Sequence, residues 1–144
     1  MRIVLLFTSL LLICWFPISA QNSVYKVSFT NEKIKIDGIL DESVWQNSAS
    51  LGDFWQLFPS DTVKAAYQTD VRMVYDENYV YVAAKCYSKG NSYVTPSFQR
   101  DYRAGGNDNI SFVFDTFNDN TNAFLFGINP FGVMREALLY NGAV

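Results

Sequence analysis

The sequence predicts an all-β fold, an antiparallel β-sandwich, and three observations carry that expectation. Apolar and polar residues alternate in short runs, as they do on half-buried strands. The runs are parted by turn-forming clusters, among them Asp37-Gly38, Asp76-Glu77-Asn78, Asn118-Asp119-Asn120 and Asn129-Pro130-Phe131-Gly132. Hydrophobic residues make up 49% and aromatics 17% of the 144-residue chain, enough apolar surface to fill a core and to exclude a disordered chain. That length accommodates a single domain.

The elements follow in order. Residues 1–20 read as a signal peptide: a basic Met1-Arg2, an apolar stretch broken only by Thr8, Ser9 and Pro17, and Ile18-Ser19-Ala20 placed for cleavage before Gln21. The stretch is short for a membrane span, Pro17 interrupts it, and no basic stop-transfer cluster follows, so no stable transmembrane helix is expected. Cleavage removes Cys14 and leaves Cys86 without a disulfide partner. Its place in an apolar strand pattern predicts a buried, inert thiol. Residues 24–29 alternate as a strand, and residues 33–36 as another that stops at Asp37-Gly38. Residues 41–45 form one helical turn with Asp41 as its N-cap. Residues 71–75 and 79–87 flank Asp76-Glu77-Asn78 as a hairpin. In its second strand Val80, Val82, Ala84 and Cys86 face one way. Residues 109–115, 123–129 and 133–139 supply three more strands. The turn signal Asn141-Gly142 stands two residues before the last one, so the sandwich is expected to lack its C-terminal strands within residues 21–144.

Composition excludes several function classes. There are 11 Lys+Arg against 14 Asp+Glu, a formal charge of −3, where a nucleic-acid binder carries a basic patch. The absence of His removes the usual general base and the commonest zinc ligand. Ser and Thr therefore have no His partner, and no phosphate-cradling glycine loop occurs. Asp101, Asp108, Asp115 and Asp119 could be combined into a carboxylate pair, but a turn-rich chain supplies such residues by chance. The domain is expected to be non-catalytic.

Three segments together carry a resemblance. The first is Ile34-Lys35-Ile36-Asp37-Gly38-Ile39-Leu40-Asp41-Glu42-Ser43-Val44-Trp45. The second is the hairpin from Val71 to Val82. The third runs from Asn107-Asp108-Asn109 through Asn122-Ala123-Phe124 to Asn129-Pro130-Phe131-Gly132. In this order they resemble the family 9 carbohydrate-binding modules and their DOMON-like relatives. The subgroup most similar forms the N-terminal domain of large exported bacterial proteins with a C-terminal region like an outer-membrane β-barrel. The resemblance implies a β-sandwich that binds poly- or oligosaccharide, or that docks on its own barrel. It also implies an exported protein of the periplasm, outer membrane or cell surface, linked to polysaccharide breakdown or uptake. Family members hold a sugar between two Trp side chains, one just upstream of the residue matching Asp108. Here that place holds Ala104, Gly105 and Gly106, and the second Trp would lie beyond Val144.

Substitute ligand contacts are then sought in Arg100, Asp101, Tyr102 and Asp108, since Arg forks and Tyr rings suit polar ligands, and in the aromatic cluster at Trp55. The alternative for the first group is a solvated loop with a local ion pair. The alternative for Trp55, with Phe58 and Pro59, is a core or domain contact. Trp45 and Asp37-Gly38 have structural explanations, as a core plug and a turn. No cofactor is required, although the family can carry structural calcium. Asp115 and Asp119, with Asn118, Asn120 and Asn122, offer oxygens for it, or else satisfy their own backbone. Two functions stay open: a sugar-binding module, and a docking domain with no sugar ligand.

Overall fold

The structure, a computed structural model, describes residues 24–141. The expected signal peptide, Cys14 and the residues beyond Asn141 lie outside the described residues. Of the described residues 31% are strand and 4% helix, in two antiparallel-rich sheets. The expected all-β class is thus what forms. The chain divides into two compact units, Met1–Tyr87 and Ser88–Val144, each holding one three-stranded sheet.

In the first unit β1 (Ser28–Phe29) pairs in parallel with β2 (Thr69–Tyr75), which pairs antiparallel with β3 (Val80–Cys86). The β2–β3 hairpin is the one that alternation predicts. Its turn is closed by the Asp76 carboxylate, which accepts the Asn78 and Tyr79 N–H groups at 2.7 Å each. Register puts Val74 opposite Tyr81 and Arg72 opposite Ala83 on one face. Against that face lie Ile34, Val44 and Trp45, forming a core in which Val74 is fully buried. Trp45 is buried here, so its expected role as a core plug holds.

Two expected strands are different in the structure. Residues 33–36 form no strand. Lys35 instead pairs its ammonium with Asp37 at 2.6 Å and gives its backbone N–H to Glu42 at 2.8 Å. Of residues 24–29 only the last two join a sheet. The helical turn also starts later than predicted: α1 is Ser43–Asn47, with Glu42 in the N-cap place and no side-chain cap from Asp41 or Glu42. The cap comes from Glu32, whose carboxylate accepts both the N–H and the hydroxyl of Ser43. At the other end the Arg72 guanidinium donates to the carbonyls of Trp45 at 2.5 Å and Ser48 at 3.2 Å. A cation at helix-terminal carbonyls is the favourable polarity. Cys86, expected to be buried, is exposed, because the core takes Tyr81 and Ala83 from β3 and Cys86 points to the opposite face.

In the second unit β4 (Ile110–Phe114), β5 (Ala123–Ile128) and β6 (Met134–Leu139) make an antiparallel meander. β5, central, alternates strictly between buried and exposed residues. One face carries Ala123, Leu125 and Gly127, with Arg135 and Ala137 of β6 beside them. The opposite face carries Phe112, Phe114, Phe124, Phe126, Ile128 and Leu138. The β5–β6 turn is built by Asn129: its carbonyl accepts Gly132 N–H at 3.0 Å, and Gly132 takes a φ of +79°, a conformation open to glycine.

Candidate functional site

The candidate residues do not gather in one place. Trp55 belongs to the first unit, and Arg100, Asp101, Tyr102 and Asp108 to the second.

Trp55 sits on an irregular hairpin. It bridges antiparallel to Lys64, and hydrogen bonds from Gln56 N–H to Val63 O and from Ala65 N–H to Phe54 O, 2.9 Å each, extend the pairing. Between the arms lies Leu57-Phe58-Pro59-Ser60-Asp61-Thr62. Trp55 is 61% exposed, so the expected core contact is not what the chain forms. Leu57 and Phe58 at the tip are exposed further still. The Lys64 ammonium stands 4.3 Å from the centre of the Trp55 ring. The same ammonium is held at 2.7 Å by both the carbonyl and the carboxylate of Asp53. Asp53 fixes Lys64, and Lys64 fixes the indole by a cation–π contact worth about 0.5–1 kcal/mol at an exposed site. An exposed aromatic plane is thereby presented in a set orientation. Lys64 carries no signal of its own in the sequence beyond the turn residues Pro59-Ser60-Asp61 that part it from Trp55.

The loop at residues 100–108 is a clip rather than a platform. Asp101, with a φ of +60°, gives its N–H to Met134 O at 3.1 Å and accepts Glu136 N–H on its carboxylate at 2.9 Å. Arg100 pairs with Glu136 at 2.8 Å. These bonds cover the outer edge of β6, which an open sheet edge needs. Asp108 bonds Val94 in both directions, its carboxylate accepting Val94 N–H at 2.8 Å and its own N–H reaching Val94 O at 2.7 Å. Tyr102, proposed from sequence as a ligand contact, is buried. Its ring is packed away and cannot stack on an exposed sugar, and burial pushes its phenol pKa up.

The calcium candidates serve their own turn. Asp115 accepts Asn120 N–H at 3.0 Å. Asp119 accepts the Thr121 and Asn122 N–H groups at 2.8 Å each and the Asn122 amide at 2.7 Å. The Asn122 and Thr121 N–H bonds hold the Asp119 carboxyl far below the usual carboxylate range. Among the described residues no group of three or more His, Cys, Asp or Glu stands together as a metal cluster would. No helix there is long and apolar enough to cross a membrane.

A cleft of about 490 Å³ lies between Phe29, Asn31, Glu32 and the start of α1 at Ser43. None of the sequence-predicted site residues lines it. Compared with family models, curated proteins and solved structures, the chain matches none of them.

Proposed function

We propose that the chain is a non-catalytic binding domain of an exported protein, and that it takes carbohydrate on the exposed face of Trp55. The single observation that carries this reading is the clamp: Asp53 holds Lys64, Lys64 lies over the indole, and the ring is 61% exposed. Pyranose rings are recognised by flat aromatic faces with polar groups at their rim, and a fixed ring loses little freedom on binding. The resemblance to family 9 carbohydrate-binding modules supports the same class of ligand, and with it a protein linked to polysaccharide breakdown or uptake. The stacking residue proposed here differs from the Trp that the resemblance implies near Asp108. The test is a glycan array probed with the full chain and with Trp55→Ala. Retention by the wild type that the variant loses supports the proposal. Equal retention, or none by a folded wild type, removes it.

A second reading rests on a different observation. The face of the second sheet bearing Phe124, Phe126, Ile128, Met134 and Leu138 is exposed and apolar. Such faces mark association surfaces, which favours a docking domain at the cell envelope with no sugar ligand.

A further inference from the structure

Two buried side chains next to the β5–β6 pair each hold a hydrogen-bond donor that has no acceptor. Asn129 is 4% exposed. Its Oδ1 accepts the N–H groups of Phe131 at 3.0 Å and Val133 at 2.9 Å. Those two bonds fix which way the amide is turned, so its other end must be the NH₂, and that Nδ2 is buried without a partner. Tyr102 is 5% exposed, and its hydroxyl is likewise buried without a partner.

Arg135 lies at the same place. It is half-buried on the same face, one step along the ladder from the Asn129–Val133 pair, in the row Ser111–Gly127–Arg135. Its side-chain stem crosses Gly127 so closely that a Cβ there would stand 2.8 Å from Arg135 Cγ. Asp101, the residue before Tyr102, bonds Met134 and Glu136 on either side of Arg135. None of the ion pairs among the described residues includes Arg135. The neighbouring acid, Glu136, points to the opposite face and pairs with Arg100. Ser111 commits its hydroxyl to Asn109 Oδ1 at 3.1 Å.

A buried donor left without an acceptor costs about 1–3 kcal/mol, and proteins keep such groups for a reason. Here two buried side chains with unpartnered donors flank one guanidinium that makes no ion pair among the described residues. We propose that Tyr102, Asn129 and Arg135 form a binding site for a small oxyanion, the carboxylate or sulfate group of a ligand. The guanidinium fork matches a planar carboxylate edge-on, and the phenol and amide complete its remaining lone pairs. Arg135, the least buried of the three, is the way in. The site is independent of Trp55 and of the carbohydrate reading, since a glycan, a peptide or a free anion can each carry the group.

The test uses the full chain labelled with ¹⁵N and titrated with sodium acetate and, separately, sodium sulfate, against sodium chloride at equal ionic strength. Saturable shifts of the Asn129 side-chain amide and the Gly127 backbone amide are expected with either oxyanion and not with chloride. Saturation by acetate alone assigns the site to carboxylates. Tyr102→Phe removes one oxygen and keeps the buried ring, and is expected to weaken binding about tenfold. Arg135→Gln is expected to abolish saturation, while Arg103→Gln, exposed on the same loop, leaves it unchanged. Shifts that grow linearly and equally in all three salts overturn the proposal. So does unaltered binding by a well-dispersed Tyr102→Phe.

Discussion

Gly127→Ala is the sharpest perturbation of the second unit. Gly127 sits in the central strand between Ser111 and Arg135. A Cβ at that position would stand 2.7 Å from Ser111 Oγ, 2.8 Å from Arg135 Cγ and 3.2 Å from Arg135 Cδ. Carbon contacts normally settle near 3.5–4 Å. The serine hydroxyl can rotate aside, giving up its bond to Asn109, a loss of about 1 kcal/mol. Arg135 Cγ is close to its own backbone and can clear only by leaving its rotamer, about 0.5–1.5 kcal/mol. Alanine returns about 0.4–1 kcal/mol by restricting the unfolded chain. The net expectation is a destabilisation of roughly 0.5–2 kcal/mol, read as a lower urea midpoint at unchanged m-value. Ser111→Gly in the same chain is expected to recover part of that loss, a coupling that a double-mutant cycle measures. A Gly127→Ala chain as stable as wild type would refute the close crossing of Arg135 over Gly127, and with it the placement of the donor cluster.

Other outcomes follow from the same contacts. Trp45→Ala is expected to cost about 3–5 kcal/mol in chemical denaturation, because Trp45 fills the first unit's core; a loss under 1 kcal/mol would contradict that role. Asp119 is held below its ordinary range in the folded chain, so the folded state binds fewer protons there than the unfolded one. Its contribution is complete above the unfolded pKa of about 3.9 and is lost as pH falls toward the folded value. Asp119→Ala should therefore lower stability at neutral pH and flatten the acid side of the stability profile, and an unchanged profile would exclude the turn bonds. Cys86, in a Cys14→Ser background, is expected to react with a thiol reagent without denaturant; protection until unfolding would restore the buried thiol that alternation alone predicts.

The strands that sequence predicts well are those whose partners are local. In β2–β3 and β4–β5–β6 each strand meets the next through a short turn, so alternation and turn chemistry decide both existence and register. Residues 33–36 alternate equally well, yet Glu42 and Asp37 take up their polar groups and no strand partner arrives. The α1 cap failed for a related reason: Glu32, eleven residues before Ser43, supplies it, and no local motif encodes so distant an acceptor. Exposure is what local sequence encodes least. Arg100 and Asp101 were recognisable as a charged loop, but their bonds to Glu136 and Met134 depend on where β6 runs. Tyr102 and Cys86 exchanged the environments that their neighbours in sequence imply. Trp55 was visible as an aromatic. Its clamp was not, because Lys64 meets it only across a hairpin tip that itself has no alternating pattern.

The central functional claim is that Trp55 is a presented stacking surface. Its emission, taken as the difference between wild type and Trp55→Phe, can be followed while soluble oligosaccharides of plant and bacterial wall polymers are added in the presence of acrylamide. The account predicts a blue shift and protection from quenching that saturate with one class of oligosaccharide and weaken in Lys64→Ala. Emission from Trp55 that stays fully quenchable with every oligosaccharide, in a chain that remains folded, would contradict it.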